Sequence, residues 1–382
     1  MNMNTQKFFF GAEALSLFQQ ELRIIAPKTV FLLRGSGSYE NCGAKKVLEE
    51  MFSIEGIDVV EWSDFEKNPK IEDAIHGVKL LRESGATVIV ACGGGSVIDM
   101  AKLVRFSYSY VGKLIENSFE KSSELLPLFA LPTTSGTGCE TTPFAVCYKD
   151  HNKYSVAHEN MLPDYAVVYP PFTYNNSSYL TACTGFDAFA QAIEAYWNIN
   201  ASPESDEYAE MAIKIIWRSL ERVVLSPTRQ EREDMSKAAY FAGRAISMTK
   251  TTAPHAFSYA FTSYCGYPHG HAVALTFPFF FEINVCRYSG ALRGGVDLQQ
   301  YGFKMKRLLQ ILSVEKESAT ENINSFVSRI GLVKKGFCNY SLKLLLEKVN
   351  LQRLANNPVV INNTTIAELE EYLSNGRIGT IK

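Results

Sequence analysis

Apolar positions in the first half of the chain follow two alternating rhythms. Short runs rich in Val, Ile, Leu and Phe, namely TVFLLRG, DVVEW, ATVIVACGGGS and LFALPTTSGTG, read as strands. Between them, CGAKKVLEEMF and IEDAIHGVKLLRESG carry apolar residues at helical spacing, and the second closes on Gly85, a residue suited to a helix C-cap. ATVIVACGGGS is apolar without alternation, the mark of a strand buried on both faces of a parallel sheet. Strands alternating with helices predict α/β organisation, with ligands gathered at the strand C-termini.

After PPFTYNN the rhythm becomes mainly helical, from about Ser178, in LTACTGFDAFAQAIEAYW, ESDEYAEMAIKIIWRSLERVV and REDMSKAAYFAGRAIS. There is no internal repeat and no low-complexity linker. The pattern predicts two domains, an α/β half over residues 1–177 and an all-α half over residues 178–382. The most apolar stretch, AVALTFPFFFEI, is short and carries a proline, so it reads as a buried helix and not a membrane span. The apolar run in MNMNTQKFFFGAEAL is too short for a secretory leader.

Composition changes this picture little. Of 382 residues, 46% are hydrophobic and 20% charged, enough apolar material for two cores. The net charge is −2 and no long basic run occurs, which argues against a nucleic-acid partner. Eight cysteines are scattered without a CxxC pair, so free thiols in a reducing cytoplasm are expected.

Three stretches carry candidate chemistry. GGGSVIDMAK, Gly93 to Lys102, follows a strand; glycines there let backbone N–H groups approach a phosphate. It is not GxGxxG, and a tight structural turn is the competing reading. LPTTSGTGCE ends another strand, and its hydroxyls suit either a nucleotide or a helix cap. In GFDAFAQAIEAY, Asp187 and Gln191 stand four apart on one helix face. His255 and His269 follow in PHAFSYAFTSYCGYPHGH, with His271 two residues on; three of the six histidines fall in this one stretch. A lone histidine is more often a core or surface residue than a ligand. An Asp with two His and an open position suits Zn²⁺ or Fe²⁺.

Together, in order, these stretches resemble the iron-containing alcohol dehydrogenase family, relatives of glycerol dehydrogenase and dehydroquinate synthase. The resemblance runs from FFFGAEAL through GGGSVIDMAK, LPTTSGTGCE and TGFDAFAQAIEAYW to HAFSYAFTSYCGYPHGHAVAL. It implies a Rossmann-like N-terminal domain that binds NAD(P)H, a helical C-terminal domain, and a divalent metal in the cleft between them. It implies Asp187, His255 and His269 as metal ligands. Gln191 stands where the family's fourth ligand, a His, is usual, and a neutral amide there coordinates loosely or only orients a water. Tyr259 stands where many members have a further His near the substrate. Gly93, Gly94, Gly95 and Ser96 would hold the pyrophosphate, Asp99 would lie near the nicotinamide, and Thr133 and Thr134 would flank the adenosine side. Lys153, in HNKYSVA, is similar to a lysine near the nicotinamide ribose. Tyr259 and His271 are the side chains expected to supply a proton to the alkoxide, with water as the alternative.

GSGSYENCGAKK, AQAIEAYWNIN, TKTTAPHAFSYAFTSYCGYPHGHAVAL and ANNPVVI look like one branch of that family, the phosphonoacetaldehyde reductases. The implied reaction is reduction of phosphonoacetaldehyde to 2-hydroxyethylphosphonate. Lys250 stands where many members have a Gly. Beside a metal site a cation is costly to bury without an anion. With Thr251 and Thr252 it reads as a receptor for an anionic aldehyde, against the plainer reading of a solvated lysine. Ser36 stands where NAD-specific relatives often carry an Asp, so NADPH is expected to be accepted, with Arg34 or Ser38 helping to receive its 2′-phosphate. Alternatives of other classes are an alcohol or polyol dehydrogenase, a lyase of the dehydroquinate synthase type, and a metal-free non-catalytic homologue. The one macromolecular partner entertained is a second copy of the chain, as a homodimer.

Overall fold

A computed structural model describes residues 6–116, 118–149, 152–333 and 340–375. The chain divides into two compact units, the first ending at Asn176 and the second beginning at Ser177.

The first unit holds strands β1 Lys7–Phe10, β2 Thr29–Arg34, β3 Asp58–Trp62, β4 Val88–Gly93, β5 Tyr110–Lys113, β6 Ser118–Lys121, β7 Leu128–Pro132, β8 Phe144–Lys149, β9 Asn152–Ala157 and β10 Tyr165–Val168. Its helices are α1 Ala14–Ile25, α2 Ser38–Asn41, α3 Ala44–Ile54, α4 Ile71–Ser84 and α5 Gly95–Ser109. Six strands form one parallel sheet in the order β1-β10-β7-β4-β2-β3. Alternate residues go to opposite faces. Phe31, Leu33, Ile89, Ala91, Leu128 and Ala130 meet the helices α4 and α5 on one side. Val30, Leu32, Val88, Val90, Phe129 and Leu131 meet α1 and α3 on the other. Every residue of β4 is buried, which is why its sequence shows no alternation. Two antiparallel ribbons, β5-β6 and β8-β9, stand outside the sheet. Gly85 ends α4 at φ 63°, a left-handed C-cap.

The second unit is helical: α6 Ser178–Trp197, α7 Pro203–Leu225, α8 Arg229–Thr249, α9 Ala253–Cys265, α10 His269–Phe281, α11 Leu298–Leu312, α12 Ala319–Arg329, α13 Leu342–Glu347, α14 Leu351–Leu354 and α15 Asn363–Ser374. Side-chain caps start the long ones: Ser177 accepts from the Leu180 N–H, Ser202 from Ser205, and Thr228 from Glu231. Sixteen of the twenty α6 residues are buried, so α6 is surrounded by protein. AVALTFPFFFEI does form a buried helix, the body of α10, with Pro278 inside it and a π-helical turn at Glu282–Cys286 after it. Among the described residues no helix is long and apolar enough to cross a membrane. Cys42, Cys92, Cys139, Cys147, Cys183 and Cys286 are free thiols, as expected; Cys265 is disulfide-bonded, which corrects that expectation there.

Candidate metal centre

The buried helix α6 brings Asp187 and Gln191 to the same place one turn apart. Asp187 is 2% exposed and Gln191 5%. The Gln191 amide donates to Asp187 Oδ2 at 3.1 Å. That bond fixes which end of the amide is which, and it leaves Gln191 Oε1 buried with no hydrogen-bond partner. A buried carbonyl oxygen left without a donor is what a cation would satisfy.

His255 lies in the first turn of α9. Its Nε2 is 3.1 Å from Asp187 Oδ1. Its Nδ1 is hydrogen-bonded to Glu194 Oε2. Glu194, on α6 and fully buried, is a residue that sequence reasoning passed over. Its Oε1 accepts from the Thr252 N–H and the Thr252 hydroxyl, both at 2.9 Å, and from the His255 N–H at 3.4 Å. The carboxylate thus caps α9 from outside, where no side chain of its own does so. It also orients the imidazole so that Nε2 faces Asp187, the arrangement by which carboxylates steer metal-binding histidines. The only sequence signal was position: Glu194 follows Asp187 by seven residues, two helical turns along one face.

His269 opens α10, with Nε2 3.9 Å from Asp187 Oδ1 and its ring 5.2 Å from that of His255. The helices approach closely because residue 270 is a glycine; a Cβ there would meet the Cys183 carbonyl oxygen at 1.9 Å. Ligand atoms of Asp187, His255 and His269 lie within 4.8 Å of one another, the one such group of three among the described residues. Burial alone would lower the His255 pKa, but the Glu194 charge and the bonds to Asp187 and Glu194 outweigh it and raise it to about 10. A metal taken up here displaces that proton. The donor set, one carboxylate, two imidazoles and one unpaired amide oxygen, fits a divalent ion that prefers N and O ligands.

Around this group the expected residues divide. The Tyr259 ring stacks on His269 at 6.1 Å and is half-buried. His271 does not qualify as a proton donor. Its ring is fully buried, with Nδ1 2.9 Å from the Tyr179 hydroxyl and Nε2 2.9 Å from the Val333 carbonyl. A ring with both nitrogens engaged in the core pins α10 in place. Thr252 is likewise withdrawn from substrate contact: it is fully buried, its hydroxyl donating to Glu194 and accepting from Trp197 Nε1. Thr251 is buried at 6% exposure. Lys250 is exposed and has φ 65° and ψ −173°, a backbone conformation that is essentially glycine's. The strain persists because the loop is held. Its carbonyl accepts from Asn198 Nδ2 and Thr249 Oγ1, and the Thr251 carbonyl accepts from Asn356 Nδ2.

In the first unit, Gly93 ends β4, Gly94 caps α5, and Gly95 and Ser96 form its first turn. The Thr133 N–H donates to the Gly93 carbonyl at 3.0 Å, which lays the two candidate loops side by side. Thr133 Oγ1 is buried without a hydrogen-bond partner, and Thr134 beside it is half-buried. A free buried hydroxyl beside a glycine loop fits an anion such as a pyrophosphate. Asp99 accepts from the Val146 N–H at 3.0 Å and lies 3.4 Å from Lys102 Nζ. Burial raises its pKa, and the charges of Lys102 and Lys153 partly offset this. Asp99 and Lys153 therefore share one neighbourhood, but the Asp99 carboxylate is occupied in tying the β8-β9 ribbon to α5. Ser36 is exposed in the loop after β2. Arg34 is not at liberty to receive a phosphate: it pairs with Glu61 at 2.6 Å. Glu61 is also a carboxylate beside this loop, brought there by β2-β3 pairing.

Known families match both units. The model described as "Iron-containing alcohol dehydrogenase" matches residues 5–170, and "Fe-containing alcohol dehydrogenase family, C-terminal" matches residues 181–367. "Probable alcohol dehydrogenase EutG" of Escherichia coli (strain K12) is 31% identical over 332 residues, 85% of this chain and 81% of that protein. The solved iron-containing alcohol dehydrogenase of Thermotoga maritima is 27% identical, with a TM-score of 0.81 over 97% of this chain and 98% of its own. The sulfoacetaldehyde reductase of Bifidobacterium kashiwanohense, solved in complex with NAD+, is 26% identical, with a TM-score of 0.82 over 97% of each chain. The chain belongs to the iron-containing alcohol dehydrogenase family and has that family's fold. It is an oxidoreductase of the alcohol dehydrogenase class.

Proposed function

We propose that this enzyme reduces a short aldehyde bearing an anionic group, phosphonoacetaldehyde first, to the primary alcohol. NAD(P)H and a divalent metal, Fe²⁺ or Zn²⁺, are its cofactors. When bound, the metal supplies Lewis acidity at the carbonyl oxygen and the nicotinamide supplies hydride. Asp187, His255 and His269 hold the metal, and Gln191 Oε1 adds a weak fourth contact. Glu194 keeps the His255 ring in the orientation and tautomer that ligation needs. Gly93, Gly94, Gly95, Ser96 and Thr133 receive the pyrophosphate. Tyr259 stands against His269 and is the side chain placed to hand a proton to the alkoxide oxygen.

The observation that carries the substrate reading is Lys250. An exposed lysine occupies a glycine-like backbone conformation five residues before His255, in a loop clamped by the carboxylate that orients His255. Strain of this kind costs on the order of 1–3 kcal/mol and collects at functional sites. The name of one solved relative supports the same class, because sulfoacetaldehyde is a two-carbon aldehyde ending in a tetrahedral oxyanion. Oxidation of NADH and NADPH is measured with phosphonoacetaldehyde, sulfoacetaldehyde and propanal, using enzyme loaded with Fe²⁺ or Zn²⁺. The reading expects the anionic aldehydes to lead in kcat/KM. It also expects Lys250→Gly to raise thermal stability while lowering that lead about ten- to a hundredfold. Equal turnover of propanal and the anionic aldehydes by the wild type sinks it.

A further inference from the structure

A groove of about 580 Å³ crosses the first unit between α4 and the β5-β6 ribbon. One wall is a single stripe of α4, Ile71, Ile75, Val78 and Arg82, spaced four, three and four residues apart. Val111 and Phe119 of the ribbon stand in the other. Ile75 is 64% exposed and Val111 61%, so two large apolar side chains from facing walls are open to water. Arg82 ends the apolar stripe. Its guanidinium lies 5.7 Å from the centre of the Tyr108 ring and has no carboxylate partner among the described residues. That contact brings the last turns of α5 to Arg82. There Ser107 lines the groove, and its hydroxyl oxygen is buried without a hydrogen-bond partner. Lys149 lines the opposite end, because Tyr148 pairs with Lys70 at the start of α4. Ile71 and Arg82 are roughly 16 Å apart along the helix, so no small head group spans both cations. One carboxylate, Glu116, stands in the turn between β5 and β6. The groove is separate from the glycine loop: α5 starts at Gly95, and Ser107 lies roughly 18 Å further along it.

We propose that this groove is a second ligand site, one that binds a medium-chain aliphatic carboxylate. The Arg82 guanidinium offers two parallel N–H donors to the two carboxylate oxygens. The Ser107 hydroxyl, buried and unpaired, donates to one of them. The tail runs back along the α4 stripe over Val78, Ile75 and Ile71, and covers the apolar side chains that water now touches. One guanidinium and one hydroxyl suit a head with a single charge, and a phosphate monoester would call for more. The volume is that of a site for a small molecule. A protein surface laid over the groove would cover Ile75 and Val111 but would not reach the buried Ser107 hydroxyl.

The test is calorimetric titration of decanoate, below its micelle-forming concentration, into the metal-loaded full chain, with and without saturating NAD+. One decanoate per chain is expected, at an affinity that NAD+ leaves unchanged. Octanoate should bind up to about tenfold more weakly, for the two methylenes it lacks. Acetate, a head without a tail, should not bind measurably, and decanol, a tail without the charge, should bind about tenfold more weakly than decanoate. Arg82→Gln should weaken decanoate about tenfold, and Ile75→Glu, which sets a like charge in the path of the tail, at least as much. Both residues are exposed, so both variants should fold. An affinity that neither variant changes overturns the proposal, because the carboxylate then binds elsewhere, at the metal for instance. Displacement by NAD+ overturns it too, since the ligand would then occupy the dinucleotide site. Absence of decanoate binding overturns it outright. If, in that case, Ile75→Glu shifts the sedimentation of the chain, the groove is a contact between copies instead.

Discussion

At the scale of single residues, Glu194 does more than its place in the sequence suggests. Its two oxygens hold the first turn of α9 and the His255 ring at once. Glu194→Gln keeps the shape, but an amide presents an N–H₂ to one of those two sets of donors. One set must break, and the group is fully buried. The expected result is metal affinity lower by about 10- to 100-fold and a loss of about 1–3 kcal/mol in stability. Metal titration of the apo variant, followed with its unfolding curve, checks both, and unchanged affinity would make Glu194 a helix cap and nothing more. What the sequence revealed here follows from this. Asp187, Gln191, His255 and His269 stood out because their residue types are rare in such a cluster. Glu194 did not, because a Glu on a helix is usually solvated, and only the all-round burial of α6 tells otherwise. His271 misled for the opposite reason: a histidine two residues from a ligand looks chemical, but its position on α10 turns it into the core.

At the scale of elements, the site exists because α10 can lie close against α6. Gly270 makes that approach, and a methyl group there runs into a backbone carbonyl that cannot swing aside. Gly270→Ala should push the start of α10 away, separating His269 from Asp187. The expected cost is about 1–3 kcal/mol from overpacking, with metal content lost alongside. Gly266→Ala is the control. Its φ of 71° makes an alanine there strained as well, but nothing lies within 4 Å of the added Cβ. It should lose stability and keep metal, so equal metal loss in both variants would refute the close-approach argument. The long helices and the strands β2, β3, β4 and β7 were legible, since each has a clear period or an unbroken apolar run. Strands β1 and β10 were not, nor were the two ribbons. Four-residue strands such as Lys7–Phe10 and Tyr165–Val168 hold too few positions to establish a period, and their partners are distant in sequence.

At the scale of the whole molecule, stability should depend on pH through a group far from the metal centre in sequence. Glu140 follows the LPTTSGTGC loop and is 3% exposed. Burial pushes its pKa up from 4.5 to about 7, with its own backbone N–H and the Lys102 charge working in the other direction. The sign follows from proton counting. Below pH 4.5 both folded and unfolded chains hold the proton, and there is no penalty. Between 4.5 and 7 the unfolded chain releases it and the folded chain keeps it, so stability falls as pH rises. Above 7 both are ionised, and the full penalty of burying the charge is present, about 3 kcal/mol from the shift. The net charge of −2 adds little general slope of its own near neutrality. Glu140→Gln removes the ionisation while nearly keeping the shape. Its stability relative to wild type should therefore rise by roughly 1–3 kcal/mol between pH 4.5 and pH 8. Two units with separate cores can unfold separately, so the comparison belongs on the transition of the unit that ends at Asn176. Urea unfolding at several pH values across that window supplies it. A difference between variant and wild type that stays constant with pH would mean that Glu140 does not titrate there.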